Sequence, residues 1–243
     1  MNIFDIQIPS VSDSELKEKL EELFSATKSA LITYVNVHVL NEAYSSKQLK
    51  SILQASTFII NDSGGLALLS KLSKQSLRKH TLTDLKELFF SILEKKNKSI
   101  YFLGNEESVL HKMIDHLNQD YPKLKIAGYH HGFFEFYSEE NERIVKDIVT
   151  SNADIIMVGM GVPKQELWCE LNKEQLNGKV LIVGGNCFGY WSGITKRAPK
   201  WVQKSYLEWF YRLLTEPKRM FNRYVIGNPL FILRYLLFLL RSK

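Results

Sequence analysis

Short apolar runs alternate with stretches of helical spacing along most of this chain, and few folds accommodate that order. The runs are Leu31–Val37, Thr57–Asn61, Ser99–Gly104, Leu124–Gly128, Asp154–Gly159 and Val180–Gly184. Several are apolar without interruption, as strands are when a parallel sheet buries both their faces. Helical spacing fills the intervals at Ser45–Ala55, Leu66–Leu77, Asp84–Lys95, Glu106–Gln119, Asn141–Ser151 and Pro163–Leu176. Ser12 or Asp13 is placed to cap an earlier helix carrying Leu16, Leu20 and Leu23. Strand alternating with helix predicts an α/β fold, a Rossmann-like doubly wound and mostly parallel sheet. The 243 residues suffice for a core without staples. The two cysteines, Cys169 and Cys187, show no CxxC spacing, which argues against a disulfide scaffold or structural zinc. The polar start, Met1 to Asp13, lacks the apolar segment of a secretory signal, so a cytoplasmic setting is expected.

The pattern changes near Lys196. Residues 196–243 hold 11 Lys and Arg against Glu208 and Glu216, a net of +9, whereas residues 1–195 carry a net of −3. The expected organisation is therefore a core over 1–196 and a helical, basic and apolar appendage over 197–243. Gly227-Asn228-Pro229 is expected to break the appendage before its last stretch, PLFILRYLLFLL. Twelve residues are too few to span a bilayer, which needs about 20. They suit an interfacial helix, with Arg219, Arg223, Arg234 and Arg241 at lipid phosphates. A helix docked on the core or on a second copy is the plainer alternative. A nucleic-acid-binding protein with a basic tail, using Trp201, Trp209, Tyr211 and Tyr224 for stacking, is the competing functional class. The apolar ending disfavours it.

Ligands of a parallel α/β sheet bind outside the carboxyl ends of its strands. Those ends read Asn36 after Val35, Asn61-Asp62-Ser63-Gly64-Gly65 after Ile60, Gly159 to Glu166 after Val158, and Gly184-Gly185-Asn186 after Val183. Asp62 is the acidic residue beside a glycine turn; it is placed either to cap the next helix or to accept a proton from a substrate hydroxyl. On the residues alone the cap is favoured. The 159–166 loop has glycines to admit a phosphate and a helix start behind them. Neither a Walker loop nor a dinucleotide fingerprint is present, which disfavours a nucleotide triphosphatase and a Rossmann oxidoreductase. His130-His131 is a poor metal motif, because adjacent strand residues face opposite sides.

Three motifs go further. Gly159-x-Gly161-Val-Pro-Lys-Gln165-Glu166, Gly193-x-x-x-Arg197-Ala-Pro199 and Glu208-Trp209-x-x-Arg212-Leu213-x-x-Glu216-Pro217-x-Arg219 occur in order, with Gly128-x-x-x-Gly132-Phe-Phe134 before them. From about Leu31 to Tyr224 the chain resembles the WecG/TagA/CpsF glycosyltransferases. The resemblance implies an inverting, metal-independent transfer of an N-acetylmannosamine-type or other hexose. The donor would be a UDP-sugar and the acceptor a polyprenyl-diphosphate-linked sugar, at the cytoplasmic face of the membrane, in teichoic acid, capsule or exopolysaccharide assembly. The same resemblance makes Asp62 the general base. It assigns substrate binding to Asn36 and Gln165 and diphosphate binding to Arg212, Arg219 and Arg223. It implies no cofactor and no nucleic acid, and it leaves room for a homo-oligomer. The strand-end and charge readings add Gly65, Gly159, Gly161, Glu166 and Gly185 as substrate-binding candidates and Arg197 as a further arginine for a lipid diphosphate. Five positions depart from the family pattern: Ser63 for the first glycine after the aspartate, Tyr34 for a threonine, Lys79 near the usual arginine, Leu82 for the glycine that follows it, and Gly189 where Phe-Asp is common.

Overall fold

The apolar runs assemble into one six-stranded sheet in a computed structural model of the chain, which describes residues 1–26, 28–72, 76–205 and 207–241. A short antiparallel hairpin, β1 (Asn2–Ile3) and β2 (Ile6–Gln7), precedes it. The sheet strands are β3 (Ala30–Val35), β4 (Phe58–Asn61), β5 (Ser99–Gly104), β6 (Lys125–His130), β7 (Ile155–Gly159) and β8 (Val180–Val183). Their spatial order is β4-β3-β8-β7-β5-β6, with every neighbouring pair parallel. All residues of β4, β7 and β8 are buried, which is why these strands read as unbroken apolar runs. The wholly parallel arrangement places every strand's carboxyl end on one edge of the sheet.

Helices fill the connections: α1 (Asp13–Ser25), α2 (Val37–Ser45), α3 (Lys47–Ala55), α4 (Gly64–Leu72), α5 (Lys86–Lys95), α6 (Glu107–Asp120), α7 (Glu139–Thr150), α8 (Lys164–Asn172) and α9 (Cys187–Trp191). Ser12 caps α1 in a reciprocal arrangement, its Oγ accepting from the Glu15 backbone while Glu15 accepts from the Ser12 backbone. The single helix expected over Ser45–Ala55 is two. Ser46 ends α2 and starts α3, its Oγ accepting from the Leu49 N–H at 3.2 Å. The first sheet strand ends at Val35 rather than Val37 because Asn36 is extended and caps α2 through Oδ1 to the Val39 N–H. The helix expected over Leu66–Leu77 is α4; positions 73–75 of that expectation lie outside the described residues.

The tail continues through α10 (Lys200–Lys204), α11 (Glu208–Thr215), α12 (Pro217–Met220), a π turn over Phe221–Ile226, and α13 (Gly227–Arg241). The break expected at Gly227-Asn228-Pro229 does not occur. Pro229 is the third residue of α13. The widened π turn before it is a common way to absorb a residue that lacks a donor and crowds the carbonyl four positions back. The last helix is thus part of a 25-residue helical stretch, Pro217–Arg241, long and apolar enough to cross a bilayer by length and composition.

One face of that stretch is docked on the body. Phe231 and Tyr235 are buried, and Phe4 of the N-terminal hairpin meets Phe231 and Phe238 edge-on at 5.8 and 5.7 Å. Arg234 donates to the Asn41 carbonyl and Oδ1 and to Ser45 Oγ, and lies over the Tyr44 ring. Arg234 is therefore engaged by α2, contrary to the expectation that it faces lipid phosphate. The opposite face carries Ile232, Leu233, Leu236, Leu237 and Leu240 into solvent at helical spacing.

Candidate active site

At the carboxyl edge, the start of α4 separates two tasks that the sequence left to one residue. Ser63, not Asp62, caps the helix, with its Oγ accepting from the Leu66 N–H at 3.2 Å. Asp62 is tied to β3 by its backbone N–H donating to the Val35 carbonyl at 2.9 Å. Its carboxyl is free of capping and accepts from the Thr81 hydroxyl. Burial pushes the Asp62 pKa up to about 7; the Lys79 and Arg223 charges pull the other way and Glu208 adds to the rise.

The segment that supplies Lys79 and Thr81 is held against the end of β4. His80 donates its backbone N–H to the Asn61 carbonyl at 2.8 Å, and Asn61 Nδ2 donates to the Arg78 carbonyl at 3.0 Å. Asn36, expected to bind substrate, is partly exposed next door, with its Oδ1 engaged as the α2 cap. Gly65 lies exposed in the first turn of α4.

The loops after β7 and β8 are joined by Gln165. Its Oε1 accepts from the Gly185 N–H at 3.0 Å, and its Nε2 donates to Glu166 Oε1 at 2.9 Å and towards the Tyr34 hydroxyl at 3.5 Å. Gln165 and Glu166 are fully buried, and Gln165 ties the 159–166 loop to Gly185. A side chain at Gly185 is excluded twice: its φ is +56°, and a Cβ would lie 2.6 Å from the Tyr34 hydroxyl. Burial lifts the Glu166 carboxyl to about 7, and its Oε2 is buried without a hydrogen-bond partner among the described residues. Gly161, at φ +81°, is the opposite case, since a Cβ there would meet nothing within 4 Å among the described residues. Gly159 stands behind it at the end of β7, buried against the Phe188 ring.

The four tail-side arginines separate into distinct groups. Arg197 is taken up by carboxylates: both nitrogens of its fork meet Asp84, and its Nε lies 3.3 Å from Glu208 Oε1. Three of its guanidinium nitrogens are thus turned toward two carboxylates of the protein itself. Arg219 is exposed and paired with Glu216. Arg212 and Arg223 behave differently, for each has a buried Nε without a partner among the described residues. Burial works against the Arg212 charge, but Tyr224, Tyr190, Glu216 and Glu208 outweigh it and hold its pKa above the usual value. Arg223 acts on Asp62, on Tyr34 and on His38. Burial and the Arg223 charge depress His38 to about 4, so its imidazole is neutral at pH 7. Sequence reasoning passed over His38 and Thr81, since neither lies in a motif and only the fold brings them to the edge.

Two further departures have local explanations. A Cβ at Gly189 would lie 2.6 Å from Thr195 Oγ1, so the turn after α9 closes over that position and admits no side chain unshifted. His130 and His131 sit with ring centroids 4.3 Å apart, and with Glu140 they bring ligand-type atoms within 4.8 Å of one another. The alternation argument against the pair fails because His130 ends β6 and His131 lies beyond it. β6 and β4 are opposite edges of the sheet, so this cluster is about 24 Å from Asp62 at roughly 4.8 Å per strand.

A family model described as "Glycosyl transferase WecG/TagA/CpsF family" matches residues 1–243. The chain is also similar to proteins named N-acetylglucosaminyldiphosphoundecaprenol N-acetyl-beta-D-mannosaminyltransferase. That of Bacillus subtilis (strain 168) is 32% identical over 192 residues, 78% of this chain and 73% of the relative. That of Bacillus spizizenii is 31% identical over 214 residues, 85% and 81% of the two chains. That of Staphylococcus aureus (strain MRSA252) is 28% identical over 224 residues, 90% and 86%.

Proposed function

The chain belongs to the WecG/TagA/CpsF glycosyl transferase family, and from that premise we propose that it moves an N-acetylmannosamine-type sugar from a UDP-linked donor onto a polyprenyl-diphosphate-linked N-acetylglucosamine. The observation that carries the mechanism is the company Asp62 keeps. A carboxyl lifted to about 7 stands at a strand end, and Arg223, a guanidinium with an unpartnered buried nitrogen, acts on it.

In this reading the acceptor hydroxyl attacks the anomeric carbon from the face opposite the leaving group. The new carbon–oxygen bond forms as the bond to UDP breaks, and the hydroxyl proton passes to Asp62. A base that titrates near neutrality is well matched to that task. The departing diphosphate gathers negative charge, and in this reading Arg212 and Arg223 receive it. Burying a guanidinium nitrogen without a partner is costly, so an anion that completes its bonding stabilises both. Gly161 leaves the backbone bare where the diphosphate approaches, and the start of α8 lies behind it. Gln165 and Glu166 keep the 159–166 loop and Gly185 in register.

The appendage over 197–243 serves two purposes in this reading. It delivers Arg212 and Arg223 to the core, and it presents the stripe Ile232, Leu233, Leu236, Leu237 and Leu240 to the cytoplasmic face of a membrane. Docking of Phe231, Arg234 and Tyr235 on the body favours a helix lying in the interface over one that crosses the bilayer. The acceptor's lipid would then reach the site from the same surface.

The test is a screen of UDP-sugars with the purified protein and a short-chain lipid diphosphate N-acetylglucosamine. Acceptor-dependent UDP release is expected with one donor. Release no greater than hydrolysis with every donor would refute the assignment.

A further inference from the structure

Glu208 takes no part in the chemistry described above, yet it is built into the site from the tail. Its two carboxylate oxygens are divided between two cations. Oε2 lies 3.2 Å from Lys79 Nζ, and Oε1 lies 3.3 Å from Arg197 Nε. Arg197 is itself fixed to Asp84, so Glu208 is held from behind. Lys79, Arg197 and Glu208 are each less than one-fifth exposed, where charge pairs are screened little by solvent. Lys79 is also, among the described residues, the strongest attractive charge acting on Asp62.

We propose that Glu208 is a positioning residue for the transfer: its carboxylate draws the Lys79 ammonium toward the tail and so leaves Asp62 free to take the acceptor proton. The inference rests on the reading of Asp62 as base. An ammonium paired with that carboxylate would occupy its lone pairs and weaken it as a proton acceptor. Because α11 supplies Glu208, the base is set for transfer only while the tail is docked. Among the described residues, the groups that act on Asp62 are Lys79 and Thr81 from the segment after α4, Glu208 from α11 and Arg223 from the π turn, and its own charge acts on Tyr34 from β3 and Cys187 from α9. Of these, only Glu208 offers Lys79 a competing carboxylate.

Glu208→Gln keeps the shape and removes the charge. The acid limb of the kcat pH profile is expected to move to lower pH, since a cation released onto a carboxyl lowers it by about 1–3 pH units. The plateau kcat should fall while KM for the donor holds. Simple loosening of the tail lowers the rate without moving the limb. Adding Lys79→Met to Glu208→Gln should return the limb toward its original position. If Glu208→Gln is inactive, Lys79→Met alone decides, and its limb must move to higher pH. A limb that stays in place in these variants, with Asp62→Asn inactive, overturns the role of Glu208 and leaves Asp62 as base. An active Asp62→Asn overturns the base itself.

Discussion

Replacing Asp62 by Asn should sharply slow transfer and at the same time stabilise the fold at alkaline pH. The carboxyl is raised from 3.8 to about 7, chiefly by burial, so the folded state disfavours its ionised form. A group that holds its proton more tightly when folded contributes stability below its unfolded pKa and loses it as pH rises through the folded one. Stability from Asp62 should therefore decline between about pH 4 and pH 7. A shift of about 3 units at ~1.36 kcal/mol each sets the loss at about 4 kcal/mol by pH 8. Asn keeps an acceptor for the Thr81 hydroxyl and carries no charge, so Asp62→Asn should recover up to that amount at pH 8 and little at pH 4. The rate should fall by on the order of 10²-fold or more, the usual contribution of a positioned base. Denaturant unfolding at pH 4 and pH 8, with UDP release measured on the same samples, checks both halves. A variant that is less stable at pH 8 than the parent would refute the claim that burial of a charge sets this carboxyl. Near wild-type transfer would remove Asp62 from the mechanism.

Gln165→Ala should weaken UDP binding even though Gln165 is buried, because the Gly185 N–H and the Tyr34 hydroxyl lose their shared partner and the two loops come apart; unchanged affinity by calorimetry would place the donor elsewhere on the edge. A chain ending at Gly227 should keep Arg212 and Arg223 and turn over a soluble acceptor, lose flotation with anionic vesicles, and melt at lower temperature because Phe4 and α2 are uncovered. A chain ending at Lys196 should lose transfer to the soluble acceptor as well; full activity there would reduce the tail to an anchor.

The order of strands and helices was legible along the chain, because burial on both faces of a parallel sheet demands unbroken apolar runs such as Ile155–Gly159 and Val180–Val183. The Ser12 cap, the placement of Asp62 at a strand end and the basic tail were legible for the same reason: each depends on neighbours a few residues away. The N-terminal hairpin was not, since its turn runs through Phe4 and Asp5 at positive φ and carries no glycine to announce it. Nor was the division of the arginines. Arg197 looks like Arg212 in sequence, and it is Asp84, 113 positions earlier, together with Glu208, that pairs with it. Gln165 and Glu166 occupy a motif that reads as a ligand loop, yet packing against Tyr34, 131 positions away, buries Gln165. The pairing of Glu208 with Lys79 spans 129 residues. Spacing along the chain decides which face of an element is apolar. Which charge meets which, and which polar group loses its water, is decided by what the fold sets on the other side.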